Sequence, residues 1–177
     1  MSIMRILLIA LSSFCFVITS CKRDKVSEVI IETQEQIDAK LISQKDIEAI
    51  RYDDYELSLD AQKAVIDWQK LNELKTQIDL LKKGDLTYFS GDALLIKTLI
   101  KELRTEMPQQ LQTNEVLARI TALDTKTQKL NSFLGLLNSN KDEKIKVIKE
   151  FLITISNLNL QINKKFEFDK NNVLKPQ

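Results

Sequence analysis

Two segments near the C-terminus carry mostly apolar residues at mirror-image spacings, and this pattern restricts the fold more than any other feature of the chain. The first segment has successive intervals of 4, 3, 4, 3, 4 and 3 residues, at Val116, Ile120, Leu123, Thr127, Leu130, Leu134 and Leu137. The second has these intervals in reverse order, at Ile145, Ile148, Leu152, Ile155, Asn159, Ile162 and Phe166. Positions that alternate by three and four residues share one face of a helix. The pattern predicts two antiparallel helices, packed as a coiled-coil-like hairpin with facing residues paired about Lys141.

The connection between the two segments is short and polar, and it offers Ser139 or Asn140 as the N-cap of the second helix. Two polar residues, Thr127 and Asn159, lie on the predicted interface. They could belong to a binding cleft, or a buried asparagine could fix the register of the hairpin. The second interpretation is favoured because register control is the better-attested role of such residues.

The part of the chain before the hairpin also predicts helices. A first amphipathic helix spans residues 26–50, and the segment "RYDDYELS" interrupts the pattern as a solvated hinge. A second helix spans residues 58–83, with Trp68 facing the core and Gly84 as its C-cap.

A third helix is predicted before the hairpin. Ser90 is expected to cap it, with Phe89 packed on Leu94 as a hydrophobic staple, and Pro108 terminates it. Its inward residues are expected to be Leu95, Leu99, Leu103 and Met107. Thr113 is the expected N-cap of the helix that follows.

Composition agrees with this helical interpretation. The chain has 177 residues, of which 44% are hydrophobic and 29% charged, and it contains only three glycines and two prolines. So few turn residues disfavour a many-stranded sheet. We therefore predict an all-α fold, an elongated bundle of about five helices forming a single domain over residues 26–170, followed by a C-terminal tail at 171–177.

Charge is balanced overall but unevenly distributed. The net charge is +1 and histidine is absent, which gives no broad attraction to nucleic acid and removes the commonest zinc ligand. Residues 24–60 carry 11 acidic and 4 basic side chains, whereas residues 126–177 carry 10 basic and 5 acidic ones. The opposite signs favour packing of these two regions side by side. The alternative is an acidic arm that binds a basic partner.

The N-terminus has the features of a secretory signal peptide. One positive charge, Arg5, precedes an apolar run of 15 residues from Ile6 to Ser20, and the chain becomes strongly charged after Cys21. A membrane-spanning helix needs about 20 apolar residues, whereas the apolar region of a signal peptide has about 7–15. The run therefore predicts a signal peptide over residues 1–20.

The junction Ile18-Thr19-Ser20-Cys21 resembles the lipobox of bacterial lipoproteins. The resemblance covers residues 1–21 and implies cleavage before Cys21, acylation of that cysteine and attachment to the membrane through its acyl chains. Residues 21–25 then form a lipid-anchored tether, and Cys15 is removed with the signal peptide. By resemblance to Gram-negative lipoproteins, Lys22 in place of aspartate favours the outer membrane.

Two function classes follow from these observations. The favoured one is a non-enzymatic, lipid-anchored envelope module that binds a protein, glycan or lipid through a helix face or serves as a structural element. The alternative is a carboxylate-dependent envelope hydrolase acting on a glycan or similar substrate, with Asp53 and Asp54, or Asp85 and Asp92, as acid and base. A calcium loop at Asp85 and Asp92 is disfavoured because the ligand spacing differs from that of an EF-hand. No cofactor or metal is predicted.

Overall fold

The computed structural model describes residues 41–136 and 139–171, and this part of the chain is helical without strands. It contains seven α-helices and one 3-10 turn, Gln109–Leu111. The α-helices are α1 (Gln44–Glu48), α2 (Leu59–Ala64), α3 (Gln69–Lys82), α4 (Thr87–Ser90), α5 (Ala93–Thr105), α6 (Asn114–Gly135) and α7 (Lys141–Asn171). The predicted all-α helical bundle is confirmed.

Several predictions concern residues that lie outside this description. They are the signal peptide and Cys21, the tether, the helical segment 26–40, the interface residue Leu137 and the tail beyond residue 171.

Helices α6 and α7 form the predicted hairpin and make the most extensive contact between any two helices of the described chain. Thr113 caps α6 by accepting a hydrogen bond from the Val116 N–H at 3.3 Å, and Asn140 caps α7 by accepting one from the Glu143 N–H at 2.8 Å. Both caps agree with the sequence prediction. The predicted inward residues of α6 are buried at Val116, Ile120, Leu123, Thr127 and Leu130.

The buried surface of α7 is wider than the single predicted stripe. Of the predicted residues, Ile148, Leu152 and Ile162 are buried, whereas Ile145, Ile155, Asn159 and Phe166 are half-buried. Additional buried residues are Val147, Phe151, Thr154, Ser156 and Leu158. The reason is that α7 also packs against α1 and α2, so it buries two adjacent stripes rather than one.

The predicted pairing about Lys141 is wrong. Helix α6 ends at Gly135 and α7 begins at Lys141, so the sequence position midway between the two helix ends is 138 rather than 141. Glu150 forms ion pairs at 2.8 Å with both Lys126 and Lys129, and the midpoints of these two pairs also lie before residue 141. The spacing pattern predicts the partner helix correctly but does not fix the register between the two helices.

The predicted helix over residues 58–83 is broken into α2 and α3. Trp68 lies at the break, is 1% exposed and donates its indole N–H to the Leu103 carbonyl oxygen of α5 at 3.0 Å. This confirms Trp68 as a core residue, and it places the hydrogen bond to α5 at the point where the helix is interrupted. Gly84 ends α3 as predicted, with a φ of 93° and the paired hydrogen bonds of a Schellman motif.

The segment between α3 and α5 differs from the prediction. Ser90 is the last residue of α4, and Asp92 caps α5 instead by accepting the Leu94 N–H at 2.8 Å. Phe89 is buried with its ring centroid 5.0 Å from that of Phe151, whereas Leu94 is 67% exposed, so the predicted staple is wrong.

The inward face of α5 is rotated from the predicted one. Its buried residues are Ile96, Leu99, Ile100 and Leu103, and the predicted inward residue Leu95 is 62% exposed. The predicted inward residue Met107 is buried beyond the end of the helix, which stops at Thr105, before Pro108.

Only the end of the predicted helix over residues 26–50 is described, and there the helix is shorter than expected. Ser43 and Asp46 form a capping box that begins α1 at Gln44. Residues 41–43 are therefore not helical, and a single continuous helix to residue 50 is wrong.

Candidate functional site

Residues 51–58, here called the strap, run between α1 and α2 without a turn or bend and lie along α7. The Tyr55 N–H donates a hydrogen bond to Ser156 Oγ of α7 at 2.8 Å, and the Ser156 hydroxyl donates to the Asp53 carbonyl oxygen. The Asn159 amide donates to the Tyr55 carbonyl oxygen at 2.9 Å. Side chains of α7 therefore hold the strap by binding the main-chain groups of the strap.

The C-terminal end of the strap is bound in the same way. The Asn163 amide donates to the Glu56 carbonyl oxygen at 2.7 Å, and its oxygen accepts the Ser58 N–H at 2.8 Å. The three α7 residues are spaced by three and four positions, which places them on one face of the helix. We call Ser156, Asn159 and Asn163 the polar ladder. Residues 53–56 of the strap are exposed, which agrees with the prediction of a solvated segment. The polar ladder binds its main chain to α7, so the segment is not the unattached hinge that was also predicted.

The ladder also changes the interpretation of the polar residues on the predicted hairpin interface. Asn159 binds the strap carbonyl rather than fixing the register against α6. Thr127 is 1% exposed and donates to the Leu123 carbonyl oxygen of its own helix at 2.7 Å. Asn159 instead lines the open groove between the strap, α3 and α7.

The two carboxylates proposed as an acid and base pair point to opposite sides of the strap, as expected for neighbouring residues of an extended chain. Asp54 contacts Lys82 Nζ at 2.7 Å and accepts the Tyr52 hydroxyl at 3.0 Å. Asp53 lines a different groove, beside Lys149. This geometry does not bring Asp53 and Asp54 together on one substrate.

The Tyr52, Asp54 and Lys82 side chains form a polar cluster beside the strap. Burial raises the pKa of the Tyr52 phenol, and the hydrogen bond to Asp54 raises it further. Burial alone would lower the pKa of the Lys82 ammonium, but the contacts with Asp54 and Tyr52 outweigh it and raise the pKa. Because Asp54 and Lys82 remain partly exposed, their ion pair adds little to stability.

An open groove of about 300 Å³ lies between the strap, α3 and α7. Its lining includes Asp54, Glu56, Asp79, Lys75 and Lys82. Burial lowers the pKa of the Lys75 ammonium. A second open groove of about 360 Å³ lies on the other side of the strap, so the strap forms a ridge between two grooves.

The other acidic pair has separate structural roles. Asp85 accepts the Thr87 N–H at 2.9 Å at the start of α4, and this hydrogen bond lowers the pKa of its carboxyl. Asp92 caps α5. Within residues 41–136 and 139–171, no group of three acidic or cysteine side chains is arranged to hold a metal ion.

The predicted association of the acidic and basic regions is confirmed for the described part of the chain. Asp46 of α1 forms an ion pair with Lys141 of α7 at 2.8 Å, and Asp60 of α2 pairs with Lys170. The hydrogen bond from Lys141, with those from Ser43, lowers the pKa of the Asp46 carboxyl to about 2. Both ends of α7 thus form ion pairs with the acidic region of residues 24–60.

Sequence reasoning did not identify the polar ladder. The sequence feature that could have indicated it is the helical spacing of Ser156, Asn159 and Asn163 beside an apolar stripe. Such residues can equally well be solvated, and their partners, the strap carbonyls and amides, lie about 100 residues away in the chain.

Comparison with known proteins finds no matching family model, no matching curated protein and no matching solved structure. None of the described helices has both the length and the apolar character required to cross a membrane.

Proposed function

We propose that the protein is a lipid-anchored component of the bacterial cell envelope whose helical domain acts as a non-enzymatic binding or structural module. The observation that carries the proposal is the Ile18-Thr19-Ser20-Cys21 junction at the end of a 15-residue apolar run. Acylation of Cys21 would hold the domain at a membrane, because each buried methylene of an acyl chain contributes about 0.8 kcal/mol and several chains act together. Lys22 after the cysteine supports the outer membrane as the location.

The geometry of the strap supports a binding or structural role over catalysis. The carboxylates considered for an acid and base pair are placed apart or cap helices: Asp53 and Asp54 face different grooves, and Asp85 and Asp92 begin two different helices. The polar ladder instead fixes an extended, acidic ridge on the surface of the bundle.

The lipid anchor is tested by comparing Cys21→Ser with Cys15→Ser in cells given radiolabelled palmitate. Cys15→Ser is the matched control, because it alters the other cysteine within the segment that is removed. We expect wild type and Cys15→Ser to carry label and to fractionate with the outer membrane, and Cys21→Ser to carry none. Label retained by Cys21→Ser, or absent from wild type, would exclude the lipoprotein assignment.

The binding role is tested by purifying the lipidated protein from detergent-solubilised envelope with its partners. A stoichiometric envelope protein or glycan should co-purify with wild type. It should be reduced in Asn163→Ala, which releases one end of the strap. Co-purification that is equal in both would place the binding surface elsewhere.

A further inference from the structure

We propose that the end of the bundle at which the described chain begins inserts exposed leucine side chains into the lipid surface that holds the protein. The inference rests on the proposed lipid anchor at Cys21 and specifies which surface of the domain the membrane covers. Three observations carry it: the place of residue 41 in the fold, the exposure of leucines around it and the balance of charge at the same end of the bundle.

Four segments meet at this end of the bundle, here called the entry end: residues 41–46, 83–95, 131–136 and 139–144. Gly84, which ends α3, lies so close to Gln44 that an added Cβ atom would be 3.0 Å from the Gln44 nitrogen. An open groove of about 180 Å³ is lined by residues from all four segments, which are Leu41, Ile42, Leu86, Ser90, Leu134 and Lys144. The described chain therefore starts within a defined end of the bundle.

The entry end exposes leucine side chains on three of its segments. Leu41, Leu94, Leu95 and Leu136 are each more than half exposed. On α5 the buried face begins at Ile96, which leaves the two preceding leucines outside the core. Removal of apolar side chains from water is favourable in proportion to the area buried, and exposed apolar surface is typical of a site of protein or membrane interaction.

The proposed anchor makes the membrane the occupant of this surface. Residues 21–40 connect Cys21 to the entry end, and a chain of 20 residues spans at most about 70 Å. A tether of limited length gives the domain a high effective concentration at the lipid surface, so a weak apolar contact is enough for docking. Phe168, near the other end of α7, lies about 40 Å along that helix from Lys141, so the opposite end of the bundle is clearly separated.

The charge of the entry end agrees with apolar insertion. Its segments carry four lysines and five acidic residues, so opposite charges are nearly balanced. Three of the carboxylates are engaged, because Asp46 pairs with Lys141, and Asp85 and Asp92 accept helix N–H groups. Neither strong attraction nor strong repulsion by charged headgroups is expected. The contact should therefore depend on the leucines and be insensitive to salt.

The test uses the lipidated protein, reconstituted into phosphatidylcholine vesicles that contain a lipid with a nitroxide on its acyl chain. A polarity-sensitive fluorophore is attached to Leu94→Cys in one sample and to Phe168→Cys in the other. Phe168 is the matched control, because both native side chains are 67% exposed. Cys15 is removed with the signal peptide and the Cys21 thiol is acylated, so the introduced cysteine is the thiol that reacts.

We expect the label at position 94 to shift its emission to shorter wavelength and to lose intensity to the nitroxide. The label at position 168 should show neither change. The response at position 94 should persist in high salt. Equal responses at the two positions, a stronger response at position 168, or loss of the response in high salt would overturn the proposal.

A second pair of variants tests whether the leucines cause the docking. With the label on Leu136→Cys, combined Leu94→Ser and Leu95→Ser substitutions should lower the ratio of docked to undocked protein about tenfold or more, whereas Phe168→Ser should leave it unchanged. An unchanged ratio in the double serine variant would contradict insertion of these side chains. If that variant unfolds, the comparison of positions 94 and 168 decides.

Failure of this proposal is distinguishable from failure of the lipid anchor. The mass of the N-terminal peptide of each sample reports whether Cys21 is acylated. An unmodified Cys21 would overturn the anchor and the membrane docking together. An acylated Cys21 with a water-exposed label at position 94 would leave the anchor in place and overturn the docking alone.

Discussion

Substitution of Ser156 by alanine should detach the centre of the strap from α7 while leaving the helical bundle intact. Ser156 is 1% exposed, and its hydroxyl forms two hydrogen bonds with the strap: it accepts the Tyr55 N–H and donates to the Asp53 carbonyl. Alanine occupies nearly the same volume, so the variant tests the hydrogen bonds without creating a large cavity.

The magnitude follows from the number of bonds. A typical intramolecular hydrogen bond contributes about 0.5–1.5 kcal/mol net, so the loss of two should lower the free energy of unfolding by about 1–3 kcal/mol. The higher helix propensity of alanine offsets roughly 0.5 kcal/mol of this loss. With an m-value of about 2 kcal/mol/M, the net loss should lower the urea midpoint by about 0.3–1.2 M.

Urea unfolding and hydrogen exchange of the Tyr55 amide together measure the effect. Asn157→Ala is the matched control, because Asn157 is the next residue on α7, is half-buried and makes no side-chain hydrogen bond within the described residues. We expect faster Tyr55 exchange and faster tryptic cleavage after Arg51 in Ser156→Ala alone. If Tyr55 exchanges at the wild-type rate in Ser156→Ala, the polar ladder does not hold the strap.

Three other predictions concern the bundle. Leu130→Ala and Leu152→Ala should each lower the free energy of unfolding by about 2–5 kcal/mol in urea titrations, because both side chains are buried in the core of the bundle; a loss below 1 kcal/mol would contradict that packing. Gly84→Ala should destabilise by about 1–3 kcal/mol, since its φ is 93° and a Cβ atom would lie 3.0 Å from the Gln44 nitrogen; unchanged stability would contradict this. Lys126 and Lys129 lower the pKa of Glu150 from 4.5 to about 2, so its contribution to stability is present above pH 4.5 and lost as the pH falls toward 2. Unfolding curves of Glu150→Gln should therefore depend less on pH in this range, and an unchanged pH dependence would refute the assignment.

The helices were predictable because their signals are local. Periodic apolar residues and end caps such as Thr113, Asn140 and Gly84 act within a few residues, and these features agree with the structure. The charge asymmetry also predicted contacts correctly, since Asp46 and Asp60 pair with lysines of α7. In both cases the sequence pattern determines which surfaces must face each other.

The interruption of the predicted helix over residues 58–83 and the structure of the strap involve contacts between residues that are far apart in the sequence. The interruption at Trp68 is coupled to a carbonyl of α5, and a periodicity argument cannot anticipate it. Asn159 has the spacing of an interface residue, yet its partner is the Tyr55 carbonyl, 104 residues away. The exposed acidic strap has the composition of a loop. Only the side chains of α7 show that it is fixed.

Mass spectrometry of the N-terminus of the protein purified from bacterial membranes tests the proposed lipid anchor most directly. We expect the mature chain to begin at Cys21, and its N-terminal peptide to be heavier than the unmodified sequence by the mass of a diacylglyceryl group and an amide-linked fatty acid. A chain that begins at Met1, or at a residue after Cys21, or an unmodified Cys21, would contradict the account.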